Sequence, residues 1–447
     1  MKDLTNGNIT KNILLLSWPT MIAMLMHVGF NLIDTIFVGR LGPDAIAAVS
    51  LVFPVVFLMF ALGGGLGVGT TSIIARYIGA KKIKEADNAA EHSFILALIF
   101  SAIFTLIGLF FAKDLFALMG ASVEITQLAM QYSRWIFGFN LFMFIGLTAT
   151  SILRGVGDMK TPMIGMVTAT VLNIILDPLL IFGIGFFPEL GIDGAAIATI
   201  ISRAVAAVIM MIFIFSPKTA VNLKPRDFKF KFNFIKEILR VGIPTSINQG
   251  LMSIALGVYT KIISVFGSLA IAAYGIGFRL ESLIIMPVLA IMTAVITLVG
   301  QNVGANKFER AEKTVWSAAK ISMSIVFIIS LLFFIFPQFL ISIFTKDPEL
   351  IILGADFLRI LSFSYIFVAA AIVVGGAFQG AGKPSPPLTI TAIRLYILGI
   401  PLSLLFAFTF NFGLNGVWIG LTLSSIIASI AAVIWFKLGT WKKETLK

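Results

Sequence analysis

Cysteine is absent from the 447 residues, and charged side chains make up only 12% of them. The first absence excludes structural disulfides and thiolate metal centres. The scarcity of charge, together with 59% hydrophobic residues and a mean hydropathy of +1.03, lies far outside the range of soluble globular domains. Catalytic signatures are missing too. The chain has no HExxH pair, no paired-aspartate motif and no nucleophile–base–orienter set, and so reads as non-enzymatic, with no cofactor. The glycine-rich stretch Gly63–Gly69 imitates a phosphate loop, yet it follows an apolar helix and lacks the lysine such a loop needs. Close helix packing or a flexible span end is expected there instead. No cleavable signal peptide is visible, because the first apolar run is longer than a signal h-region and lacks a small-residue cleavage pattern.

What the chain does contain is apolar runs long enough to cross a bilayer, at about 20 residues each. Twelve are expected: Ile13–Val38, Ala45–Leu66, Ser93–Phe111, Leu128–Leu153, Met163–Phe182, Ala195–Phe215, Ile238–Val265, Ala270–Val299, Val315–Phe344, Ile351–Phe378, Leu388–Phe410 and Val417–Phe436. They leave no room for a soluble domain.

The net charge of +12 reflects orientation and not a nucleic-acid partner, because the basic residues fall in alternate loops. Lys2 and Lys11 precede the first span, and Arg76, Lys81, Lys82 and Lys84 follow the second. Arg154 and Lys160 follow the fourth. Lys218, Lys224, Arg226, Lys229, Lys231, Lys236 and Arg240 follow the sixth. Lys307, Arg310 and Lys313 come after the eighth, Lys383 after the tenth, and Lys437, Lys442, Lys443 and Lys447 at the end, whereas the intervening loops hold only Arg40, Lys113 and Lys346. Both termini are therefore expected in the cytoplasm, with the chain in the plasma membrane.

An internal repeat appears when each residue is set beside the one 225 positions later. Pro19-Thr20 then falls on Pro244-Thr245, Gly42 on Gly267, Ile46-Ala47-Ala48 on Ile271-Ala272-Ala273, Gly79-Ala80 on Gly304-Ala305, Arg134 on Arg359, and Gly155 and Gly157 on Gly380 and Gly382. The expected fold is an all-α integral membrane protein with twelve transmembrane helices in two pseudo-symmetric six-helix bundles. The first lobe would span residues 1–215, a basic linker 216–236, and the second lobe 237–447. A substrate cavity between the bundles follows as the default.

Acids inside the apolar runs are few, and the candidates are Asp34, Asp177 and Glu281. A charge at bilayer depth costs about 3 kcal/mol or more, so intramembrane carboxylates usually face a cavity and carry ions or protons. Asn173 and Asp177 stand four apart and share a helix face. Pro178 lacks an N–H, which frees the carbonyl one turn back. With Asp34 and the hydroxyl of Thr199, these oxygens resemble the ligands of a hard cation such as Na+, and they would serve a proton equally well. The bland alternatives are a wet helix end at Asp177-Pro178 and a structural hydrogen bond at Asp34. Repeat symmetry sets Asp34 opposite Tyr259, so the cation site is expected in the N-terminal half only.

Candidates for the substrate cavity are Met24, His27, Asn31, Gln249, Met252, Arg279 and Glu281. Methionines and aromatic rings suit varied apolar cations, although helix packing explains most of them, and a packing role outweighs a tuning role for His27. Glu281 could pair with Arg279 or with Arg394, ordering the second bundle.

The segments SWPT from Ser17, FNLIDTIFVGRLG with AIAAVS, ARYIGAKK, ILRGVGDMKTP, NIILDP, GIPTSINQG, VGQNVGAN and FQGAGKP resemble those of multidrug and toxic compound extrusion (MATE) transporters, DinF-like branch. The resemblance covers essentially the whole chain. It implies a secondary antiporter that exports apolar or cationic drug-like compounds in exchange for H+ or Na+ by rocking of two lobes. It also assigns coupling to Asp34, Asn173, Asp177 and Thr199. The NorM-like branch places acids in helices 7 and 10, and the apolar part of those spans has none here, which puts a coupling site in the second half in doubt. A flippase for a lipid-linked precursor, from the same superfamily, is the alternative, and Arg279 and Arg394 are the cations to serve it. Nothing in the sequence demands more than a monomer.

Overall fold

A computed structural model describes residues 4–217, 219–221, 223 and 228–443. Lys2, Lys218, Lys224, Arg226 and Lys447, counted above among the loop cations, lie outside these residues, as does part of the 216–236 linker. Among the described residues every regular element is helical. In chain order the helices are α1 (Ile9–Gly39), α2 (Pro43–Gly79), α3 (Ile83–Leu118), α4 (Val123–Gly138), α5 (Leu141–Val156), α6 (Lys160–Phe182) and α7 (Ile192–Ile214). They continue with α8 (Phe232–Ser264), α9 (Ser268–Gly304), α10 (Phe308–Ile335), α11 (Pro337–Ser342), α12 (Pro348–Gly380), α13 (Ser385–Thr409) and α14 (Gly413–Lys437).

Ten of these helices are long and apolar enough to cross a bilayer, and α4 with α5, bent by 46° across a short break, supply an eleventh. The twelfth expected span is α8, whose 33 residues reach about 50 Å at the helical rise. Thr245, Ser246, Asn248, Gln249 and Ser253 dilute its hydropathy. Large side chains such as Leu109, Phe110 and Phe111 on α3 and Phe327 and Ile328 on α10 are exposed. That is the surface a chain presents to lipid and not to water.

The fourth span is not the continuous helix expected over Leu128–Leu153, because it breaks at Phe139 and Asn140. The break is chemically stabilised. The Phe137 carbonyl, which would otherwise lose its partner, accepts from Asn140 Nδ2 at 2.6 Å and from Thr105 Oγ1 at 2.9 Å. In α13, two wider π-type segments, Ile393–Gly399 and Leu405–Thr409, flank Pro401, which has no N–H for the helical ladder.

The repeat is visible in the backbone. Gly42 and Gly267, 225 apart, precede α2 and α9 with φ of 114° and 98°, a region that a side chain rarely enters. Lys81 and Asn306, at the same offset, both adopt left-handed φ near the ends of those helices, 59° and 58°.

The chain divides into two compact units that differ in extent from the sequence boundaries. Trp18–Ile243 form the body of the first, and the described parts of Asp3–Ser17 and Pro244–Lys447 form the second. The divisions fall within α1, between Ser17 and Trp18, and within α8, between Ile243 and Pro244. In the first unit α2 packs on α3 and α5, and α6 on α7. Its core includes Met59, Phe104, Phe116, Phe137, Phe144 and Ile181. The Gly63–Gly69 stretch lies within this packing. A Cβ on Gly67 would meet Ser151 Oγ, and one on Gly69 would collide with the Ile238 carbonyl of α8. In the second unit α12 is central, against α9, α10 and α14. Trp418 is fully buried there, its ring 4.9 Å from Phe357 and 5.8 Å from Tyr274.

Candidate cation-coupling site

The first unit brings together the four residues proposed for coupling, from three helices. Asp34 of α1, Asn173 and Asp177 of α6 and Thr199 of α7 are only 8%, 0%, 0% and 2% exposed. Asp177 is not at a wet helix end, because α6 continues through Pro178 to Phe182. The shared face expected for Asn173 and Asp177 appears as a hydrogen bond, with Asn173 Nδ2 donating to Asp177 Oδ1 at 2.8 Å. Thr199 Oγ1 donates to Asp34 Oδ1 across 3.4 Å, which ties α7 to α1 weakly.

Part of the cluster is unsatisfied. Asn173 Oδ1, Asp177 Oδ2 and the hydroxyl oxygen of Ser202, three residues beyond Thr199, are buried with no hydrogen-bond partner among the described residues. Buried polar atoms nearly always find a partner, so the orphaned oxygens on Asn173 and Asp177 leave hydrogen-bonding capacity free beside the carboxylates. Asp34 and Asp177 also lie within electrostatic range of each other. Two carboxylates so placed in an apolar unit carry a cost of burial, which the Arg203 guanidinium near Asp34 offsets in part.

Sequence reading missed Arg203 and Tyr132. Arg203 stands one turn after Thr199 on α7, with its guanidinium 5.9 Å from the Phe30 ring and 5.2 Å from the Phe60 ring. It interacts electrostatically with Asp34 and Tyr132. A basic residue four positions from a candidate threonine, in an otherwise apolar run, was the signal for it. Arg279 and Arg394 are therefore not the only intramembrane cations. Arg203 also lines a small cleft with Met59, Phe139, Asn140 and Met143.

The cavity candidates divide between the units. In the first, His27 does not pair with Asp34. Its partners are Asn31, whose Nδ2 lies 3.4 Å from Nε2 and donates to the His27 carbonyl at 2.9 Å, and the Phe60 ring at 5.7 Å. Met24 is half-buried and Asn31 exposed. In the second unit Gln249 is half-buried, and Met252 and Arg279 are exposed. Glu281 interacts electrostatically with Arg394. Tyr259, the repeat counterpart of Asp34, is 2% exposed and donates to the Leu395 carbonyl at 3.4 Å. The first unit thus holds a carboxylate where the second holds a phenol tied to backbone. Among the described residues no group of three or more His, Cys, Asp or Glu side chains forms a metal centre.

Two bundles of bilayer-length helices, one with a buried, partly unsatisfied acid cluster, define a multi-pass membrane transporter. The MatE family model matches the chain twice, over residues 19–179 and 244–405. The two matches begin at Pro19 and Pro244, the offset of the internal repeat. The chain is 32% identical to the probable multidrug resistance protein NorM of Thermotoga maritima, over 98% of this chain and 94% of that one. It is 30% identical to a FAD transporter of Shewanella oneidensis, over 96% of each. A solved outward-facing multidrug resistance MATE family transporter of the MOP superfamily superposes with a TM-score of 0.91 at 34% identity, covering 99% of this chain and 98% of that one. The protein belongs to the MatE family of transporters, which are not enzymes.

Proposed function

We propose that the protein is a secondary antiporter of the plasma membrane that exports small apolar or cationic drug-like compounds in exchange for inward H+ or Na+ by alternating access. Both termini lie in the cytoplasm in this reading, as the distribution of basic loops requires. Its two halves act as lobes, and Asp34, Asn173, Asp177 and Thr199 form the coupling group. The observation that carries this reading is the set of orphaned buried oxygens on Asn173 and Asp177, next to the Asp34–Thr199 contact. The multidrug names of relatives support the substrate class.

In the cation-free state the cluster keeps two acids among helices that cannot solvate them. A proton or Na+ lowers that negative charge by one and engages free lone pairs, so α1, α6 and α7 settle into a different arrangement when the cation is bound. A drug that binds the cation-free arrangement better then expels the cation, and the cation gradient resets the site. Coupling requires only that each ligand prefer a different state. Asp34→Asn removes the charge at little change in volume. In proteoliposomes with an imposed cation gradient this variant, inserted and folded, is expected to lose drug export. Export at the unmodified rate would refute the assignment.

A further inference from the structure

Outside the acid cluster, the first unit buries a second ionisable group that coupling does not use. His92, on the third turn of α3, is 0% exposed. Its ring is enclosed by Phe228 at 5.0 Å, Phe230 at 5.5 Å and Phe234 at 5.2 Å. Both ring nitrogens are engaged, and both partners are backbone groups. Nδ1 lies 2.7 Å from the Asn88 carbonyl, and the Lys231 N–H donates to Nε2 at 2.8 Å.

These partners fix the protonation state. A carbonyl only accepts, so Nδ1 must carry the proton, and an N–H only donates, so Nε2 must be bare. The neutral Nδ1–H tautomer satisfies both; an imidazolium cannot, because its second N–H would point at the N–H of Lys231. The three phenyl faces tolerate a charged ring through cation–π attraction. It is therefore the backbone bond, and not the ring's seat, that gives way.

We propose that His92 is a proton-operated latch. While neutral it holds the segment 228–231, which leads into α8, against the first unit, and it lets that segment go when the ring takes a second proton. The charged groups on the elements around it are of both signs. The held segment carries Lys229 and Lys231, which an imidazolium repels. On its own helix stand Lys84, Glu85, Asp87 and Glu91, on α2 Arg76 and Tyr77, and on α8 Lys236, Glu237 and Arg240. Beyond the latch α8 stays anchored by the Arg76–Glu237 ion pair at 3.7 Å, the Tyr77–Phe234 contact at 5.9 Å and the close approach of Gly69 to Ile238. Release is thus confined to the segment before α8.

The absence of cysteine allows a direct test on the full chain in lipid nanodiscs. Lys229 is exposed, so Lys229→Cys carries a nitroxide whose mobility is read by electron paramagnetic resonance at about pH 8 and about pH 5.5. The mobile fraction is expected to rise about tenfold on acidification, the factor one lost hydrogen bond of ordinary strength carries. In His92→Phe, which keeps the ring stack but has no lone pair, the label is expected to be mobile at both pH values. His92→Gln, which cannot titrate, serves if the phenylalanine variant does not fold, and its spectrum is expected to be unchanged by pH. A pH-independent spectrum with His92 present would overturn the proposal, as would the same pH step in either variant.

Discussion

Replacing Asn173 by leucine keeps the side-chain volume and removes the amide that donates to Asp177 Oδ1 at 2.8 Å. Both residues are fully buried, and Asp177 Oδ2 already has no partner, so the carboxylate would be left without a side-chain donor. A hydrogen bond to a charged group contributes about 1.5–3 kcal/mol net, and its loss weighs on the ionised acid far more than on a neutral one. With a proton as the coupling ion, Asn173→Leu would therefore favour the loaded site over the empty one by about 10- to 100-fold, since about 1.4 kcal/mol is a factor of ten. Drug-triggered proton release from the purified variant should then fall at least tenfold while its melting temperature holds. With Na+ the consequence appears elsewhere. Asn173 Oδ1 is then a ligand, so the variant should lose the Na+-dependent rise in melting temperature that a folded-state ligand produces by mass action. Release and Na+ response both at wild-type level would refute the hydrogen-bond reasoning.

Two further outcomes follow from the packing. Asn140→Leu removes one of the two donors to the Phe137 carbonyl at the α4–α5 break, and should destabilise the folded protein by about 1–3 kcal/mol in reversible denaturation, the cost of an under-satisfied buried group. An unchanged stability would mean that the break needs no such cap. Gly69→Leu places a side chain against the Ile238 carbonyl and should markedly lower the yield of folded protein, as measured by monodisperse elution in detergent, whereas Gly29→Ala, which meets open space, should not.

Particular residues show where sequence reading reached and where it stopped. The pairing of Gly42 with Gly267, and the apolar runs between, foretold both halves of the fold, because bilayer length and backbone sterics act locally along the chain. The Asn173–Asp177 pair was legible from its four-residue spacing, which a helix converts directly into contact. The break at Asn140 was not read. Its cause is the side chain of Thr105, 35 residues away, which helps to hold the freed carbonyl. Arg203 was missed because a count of loop cations passes over a cation inside a span, and its seat between Phe30 and Phe60 arises only when α1, α2 and α7 pack. His27 showed the reverse. The packing role favoured for it over a tuning role agrees with its contacts, which go to Asn31 and Phe60 and not to Asp34.

The central claim is that coupling resides in the first unit, and drug-triggered cation release measured side by side on purified Asp177→Asn and Glu281→Gln tests it most directly. Asp177 shares its site with Asp34 and an unsatisfied amide oxygen, whereas Glu281 has Arg394 as its electrostatic partner. Asp177→Asn should abolish release, and Glu281→Gln should retain it with altered stability or substrate range. Release that survives in Asp177→Asn and vanishes in Glu281→Gln would place the coupling site in the second unit and contradict the account.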